Sequence, residues 1–180
     1  MVERAFQVIR VNWRDLAAVG LFAALTALTA RVVIPLPFTP VPVTLQVLAV
    51  LLAGLALGAQ RGAASQAAYL SAILIGLPLS AKGLGGPAAF LSPTGGYLVA
   101  FVPAAYVVGA LARPGWRTWA AALAGVLVIY AGGASWLAIW LGGDWSKAWA
   151  LGVAPFIAVD VAKALVAGAV ASSARRWLGT

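Results

Sequence analysis

The chain has 180 residues, of which 63% are hydrophobic and 9% charged, with a formal net charge of +8 and a mean hydropathy of +1.00. Such a chain has too few polar residues to clothe a soluble domain, so it is expected to be a single integral membrane domain over 1–180. It contains no cysteine and no histidine, which removes the usual metal ligands, thiol nucleophiles, disulfides and the commonest general base, and leaves an expectation of no enzymatic activity, no metal and no cofactor.

The segment "MVERAFQVIRVNWRD" opens the chain. It carries charge but no short apolar core followed by a small-residue cleavage site, and is not expected to act as a signal peptide. Apolar runs bounded by charge, Pro and Gly then predict membrane spans over 15–34, 41–58, 62–78, 95–112, 118–141 and 155–174. The fold class is all-α, a bundle of six transmembrane helices surrounded by lipid. Two intervening stretches cannot be ordinary helix: "IPLPFTPVPVTLQ", with its cluster of prolines, and "GLPLSAKGLGGPAAFLSPTGGY", rich in Gly and Pro.

Basic residues set the orientation. With the N-terminus inside, Arg4, Arg10, Arg14, Arg61, Arg113, Arg117, Arg175 and Arg176 are cytoplasmic, while Arg31, Lys82 and Lys147 are outside. Eight against three places both termini in the cytoplasm. The positive charge is thereby a topological signal, and no nucleic-acid partner is implied. Trp13, Trp116, Trp119, Trp145, Trp149 and Trp177 fall near span ends and are expected to anchor at the headgroup boundary. In this topology the proline-rich loop, the glycine-rich loop and the 142–154 segment all lie outside, as a lid over an outward-facing pocket would.

Within the last span, "PFIAVDVAKALVAGAVA" places Asp160 and Lys163 three residues apart on one helix face, with Phe156, Ala164 and Ala167 on the same side. An isolated charge at mid-membrane costs roughly 2.5–3.5 kcal/mol, so the pair must face the bundle interior or a polar cavity. It could serve only to fix helix packing. A ligand role is favoured, because an ion pair is rarely kept for stability alone, and a carboxylate beside an ammonium suits a ligand with N–H donors and anionic character. Gln46, Tyr69 and Tyr97, with Gln66, are candidates either for ligand contact or for interhelical hydrogen bonds. Lys82, in the glycine-rich loop, is either a solvated charge or an anion-capturing group. On the first span Gly20 and Ala24, and Ala23 and Ala27, have small-xxx-small spacing suited to internal packing or to contact with another membrane subunit.

No phosphate-loop motif G-x-x-x-x-G-K-[ST] occurs, so the chain cannot power a pump by that route.

The stretches "PLPFTPVPVTLQVLAVLLAGLALGAQRGAASQAAYL", "GLPLSAKGLGG" and "SPTGGYLVAF", together with the Asp-x-x-Lys of "VDVAK", resemble the BioY family, the biotin-specific substrate-binding (S) components of energy-coupling factor (ECF) transporters. The resemblance spans nearly the whole chain. It departs from the common family pattern at Ser80-Ala81 and at Ser92-Pro93-Thr94-Gly95-Gly96-Tyr97. What it implies is a six-helix protein with an outward-opening biotin pocket, lidded by the first and third loops. The partners implied are a transmembrane coupling subunit, docked on the small-residue face of the first helix, and two cytoplasmic ATPases. Biotin has ureido N–H donors that Asp160 could accept and a ureido carbonyl or tail carboxylate that Lys163 could meet, with Lys82 available to the tail. An S component for another small vitamin, or a solitary ion-coupled permease using Asp160, are the alternatives.

Overall fold

The computed structural model describes residues 12–178. Arg4 and Arg10, and the side chain of Trp177, lie outside what it describes. Helix α1, Trp13–Thr29, begins where the Asn12 side chain accepts the Arg14 amide, with Asp15 in the first turn favoured by the helix dipole. It stops earlier than the predicted 15–34 span. The reason is Pro35, which pushes the preceding β-branched residues into extended backbone. Val33–Ile34 (β1) instead pairs antiparallel with Val43–Thr44 (β2), Val33 opposite Thr44 and Ile34 opposite Val43. The prolines occupy the connection and its margins, where no ladder hydrogen bond is asked of them.

Helix α2 runs Gln46–Leu74 but is broken at Gly58, whose φ of 79° and ψ of −179° only glycine adopts readily. The chain reverses there. The Gln46 amide donates to the Tyr69 hydroxyl at 2.7 Å, whereas a straight helix would hold those residues about 35 Å apart. The predicted spans 41–58 and 62–78 are therefore two antiparallel arms around a tight "GAQRG" turn, each shorter at its outer end than expected. Pro42 and the β-branched Val43 and Thr44 delay the start of the first arm, and Gly76 (φ 107°) and Pro78 end the second. Gly109 packs against this turn so closely that a Cβ there would overlap backbone atoms of Gly58 and Ala59.

Short α3, Pro87–Leu91, lies in the glycine-rich loop. Helices α4 (Gly95–Leu111) and α5 (Arg117–Trp140) follow, close to the predicted 95–112 and 118–141. The 142–154 segment holds a further helix, α6 (Trp145–Gly152). Its N-cap Asp144 accepts the Lys147 amide at 2.9 Å, and that bond, reinforced by the Lys147 ammonium, holds the Asp144 carboxyl below the usual carboxylate range. A single 3-10 turn, Ala154–Phe156, absorbs Pro155, and α7 runs Ile157–Leu178. Helix α4 packs between α2 and α5, α1 lies on α2, and α7 lies against α5 and α2.

Polarity runs inside out relative to a soluble protein. Leu21, Leu28, Leu127 and Ile139 are each 67–68% exposed, while Thr26, Ser65 and Gln66 are fully buried. Thr26 donates to Gln66 across the α1–α2 contact at 3.2 Å, so Gln66 is an interhelical bond rather than a ligand contact in this conformation. By length and composition Gln46–Leu74, Arg117–Trp140 and Trp145–Arg176 are long and apolar enough to cross a bilayer, with Gly95–Leu111 shorter. The first of these is the folded-back hairpin, and the last includes the break between α6 and α7. Trp13, Trp116, Trp145 and Trp149 are exposed, as anchors should be. Trp119 instead packs on Gly168, and Trp136 donates its indole N–H to the Ser92 carbonyl at 2.8 Å.

Candidate functional site

One end of the bundle gathers the irregular segments. Thr39 of the proline-rich loop donates to the Leu151 carbonyl at the end of α6 (2.6 Å), and Arg31 donates to the Pro78 carbonyl (2.5 Å). Tyr69 donates to the Leu79 carbonyl (3.0 Å), and Tyr97 to the Gly152 carbonyl (2.8 Å). Residues far apart in sequence are thus tied into one cap. The opposite end holds the Gly58 turn, the Arg61–Asp15 ion pair and the 112–116 turn.

Beneath the cap, Asp160 and Lys163 are 4% and 7% exposed, and the Lys163 Nζ donates to Asp160 Oδ1 at 2.7 Å. Asp160 stands in the first turn of α7, where the helix dipole favours a carboxylate. Lys163 lies one turn further in. Phe156, Ala164 and Ala167 are buried on the same side, as their spacing requires. The second carboxylate oxygen, Oδ2, accepts the Tyr130 hydroxyl from α5 at 2.8 Å. A carboxylate offers about four lone-pair sites and an ammonium three donors. The cluster therefore retains two acceptor sites and two donors beyond the bonds it makes internally.

Tyr130 was missed at the level of sequence. Its signal was a lone hydroxyl in the middle of the apolar run "GVLVIYAGG", but its partner lies 30 residues away on another helix. Nearly one turn further along α5, Gly133 lets the Tyr97 ring lie flat against the helix, since any Cβ would strike that ring. Changing Tyr130 to Phe is expected to leave Oδ2 of a buried carboxylate without its partner. A loss of about 1.5 kcal/mol fits a bond to a charged group with a half-buried donor, measurable as a lowered melting temperature in detergent.

Gln46, Tyr97, Thr44, Ser80 and Phe101 wall a small cavity of about 60 Å³ under the two loops. Gln46 and Tyr69 are hydrogen-bonded to each other, so the structure brings together Gln46, Tyr69 and Tyr97 on one side and Asp160, Lys163 and Tyr130 on the other. The ion pair is not in the cavity wall. Lys82 joins neither group. It is exposed and borders a groove of about 440 Å³ on the outer surface, separated from the inner cavity by Pro42 and Ala81, which line both. A wider concavity, about 840 Å³, is a lateral groove between α5, α6 and α7 whose side-chain polar groups are few, Tyr130 and Ser135 among them. It suits hydrocarbon better than a polar ligand. On α1, Gly20 and Ala24 face outward, while Ala23 and Ala27 pack on the core.

A helical bundle with an apolar exterior, a buried ion pair and a loop-capped polar interior defines a membrane-embedded binding protein. The model of the BioY family matches residues 3–180. The chain belongs to the BioY family, and it is a multi-pass membrane protein. It is 42% identical to the "Probable biotin transporter BioY" of Pyrococcus horikoshii, covering 88% of this chain and 94% of that protein. It is 41% identical to the biotin transporter BioY of Rhizobium etli, over 87% of this chain and 90% of that one. Among solved structures it is similar to the S component for biotin from an ECF-type ABC transporter, with a TM-score of 0.82 and 28% identity over 91% of this chain and 92% of that chain. These relatives are named as transporters and binding subunits rather than enzymes.

Proposed function

We propose that this chain is the biotin-binding S component of an ECF-type importer in a prokaryotic plasma membrane. It captures biotin from outside and delivers it inward with an ATP-driven coupling module. The observation that carries the reading is the Asp160–Lys163–Tyr130 cluster, buried under the loop cap and left with spare donors and acceptors, in a chain of the BioY family.

Six arms cross the membrane in this reading: α1, the two arms of α2, α4, α5 and α7. Both termini are cytoplasmic. Arg14, Arg61, Arg113, Arg117, Arg175 and Arg176 then share the cytoplasmic end, and the loop cap faces outside. Asp160 accepts the ureido N–H groups, and Lys163 donates to the ureido carbonyl. Gln46, Tyr69 and Tyr97 border the ligand, and Lys82 guides the carboxylate tail. A cavity of about 60 Å³ is far below the ~300 Å³ of a typical small-molecule pocket. The Pro42–Ala81 wall must therefore part to admit the ligand. Gly20 and Ala24 offer the coupling subunit a flat, exposed stripe on α1, and two ATPases complete the complex.

The test is the ligand itself. Protein purified from biotin-containing medium is expected to yield biotin by mass spectrometry after denaturation. A different vitamin in its place, or a ligand-free protein with no affinity for added biotin, overturns the proposal.

A further inference from the structure

The arginines at the end opposite the loop cap take no part in the ligand site. There the 112–116 turn, the start of α5 and the last turns of α7 enclose a cavity of about 360 Å³. Thr118 and Trp119 line it from α5, and Ser172, Arg175 and Arg176 from α7. Arg175 donates to the Thr118 hydroxyl at 3.4 Å, and that hydroxyl donates to the Arg113 backbone carbonyl at 2.8 Å. The Arg175 guanidinium is thereby held over the first turn of α5, whose dipole presents further positive charge. Among the described residues the carboxylate side chains are Asp15, Asp144 and Asp160, and each is paired with another cation: Arg61, Lys147 and Lys163. None of them is paired with Arg175 or Arg176. Two guanidiniums beside a helix terminus around one cavity, one of them held in place by the Thr118 hydroxyl, fit an anion with several acceptor oxygens, a phosphate above all.

The same seam continues as hydrocarbon-like surface. Trp119, Leu123, Leu127 and Tyr130 recur at helical spacing along α5, and Leu123, Leu127 and Val161 of α7 line the lateral groove. Trp119 belongs to the basic cavity and packs on Gly168, so the indole stands between the two concavities. Leu123 lies about 7–8 Å and Leu127 about 13–14 Å above Thr118 along the helix, within the depth of one leaflet. A free inorganic anion has no use for such a groove.

We propose that the α5–α7 seam seats one anionic phospholipid, its phosphate on Arg175 and Arg176 and an acyl chain along Leu123, Leu127 and Val161. Basic pockets between membrane helices on the cytoplasmic side are suited to such headgroups. The site is independent of which small molecule the cap admits.

The test uses the full chain in neutral detergent, with native mass spectrometry after addition of dioleoyl phosphatidylglycerol or dioleoyl phosphatidylcholine. The wild type is expected to retain one phosphatidylglycerol roughly tenfold better than phosphatidylcholine, a difference of about 1.4 kcal/mol. The Arg175→Gln/Arg176→Gln variant is expected to lose that preference, and Leu127→Trp to weaken retention with the charges intact. Equal retention of the two lipids, or an unchanged preference in the arginine variant, overturns the proposal. Displacement of the lipid by an equal concentration of inorganic phosphate also overturns it, in favour of a soluble-anion site. Melting of each variant without lipid reports its folding. Should the double variant fail to fold, Arg176→Gln and Leu127→Trp singly carry the comparison, and undiminished phosphatidylglycerol retention in both counts against the seat.

Discussion

Lys163→Met is expected to be the most damaging single change to both ligand binding and stability. It removes the ammonium 2.7 Å from Asp160 Oδ1 and leaves a carboxylate that is 4% exposed with Tyr130 as its remaining side-chain partner. Breaking one side of a buried pair costs about 3–5 kcal/mol, because the orphaned charge stays buried. Asp160→Asn, which strands the ammonium instead, falls in the same range. The double variant Asp160→Asn/Lys163→Met removes both charges and should recover most of the lost stability. Biotin binding should not recover. Each variant is expected to weaken it at least about tenfold, or ~1.4 kcal/mol, since each removes the charged acceptor, the charged donor or both that the proposed function assigns to the ureido group. Calorimetric titration with biotin, run beside thermal melting, separates the two effects. A stable double variant with wild-type affinity would remove the pair from the site, while leaving its packing role intact.

Gly58→Ala is expected to destabilise the protein by about 2–3 kcal/mol, near the upper end for a residue forced into glycine-only backbone. Its φ of 79° and ψ of −179° are what reverse α2. Relaxing that geometry would displace the turn from Gly109, which already touches Gly58 and Ala59 backbone to backbone. The ion pair lies far from this turn. Ligand affinity in the folded fraction should therefore be unchanged while the melting temperature falls. An unaltered melting temperature would mean that the two arms do not depend on that backbone conformation.

Much of this architecture was legible because apolar runs and their interruptions are one-dimensional facts. The hairpin at Gly58, α4, α5 and α7 follow from them, and so does the burial of Asp160 and Lys163, since two charges in hydrocarbon have nowhere else to go. The β1–β2 ribbon was hidden by the prolines, which signal an absence of helix but not the pairing of Val33 with Thr44. Tyr130 was hidden because a helix period says which residues share a face, not which neighbouring helix that face meets. The same limit applied to α1. Spacing defined two small-residue stripes equally well, and only packing put Ala23 and Ala27 inside and Gly20 and Ala24 outside.

The break between α6 and α7 exposes two main-chain carbonyls, Leu151 and Gly152, one turn or so before the helix that carries Asp160. One is held by Thr39 from the proline-rich loop and the other by Tyr97 from α4. Each such bond is worth only about 0.5–1.5 kcal/mol net, a two- to twelvefold bias in population. The cap is therefore latched rather than locked. The fastener sits at the last residues of α6, and a single 3-10 turn is all that separates it from the helix whose first turn carries Asp160, so the loop's hold and the carboxylate's position share one short stretch of backbone.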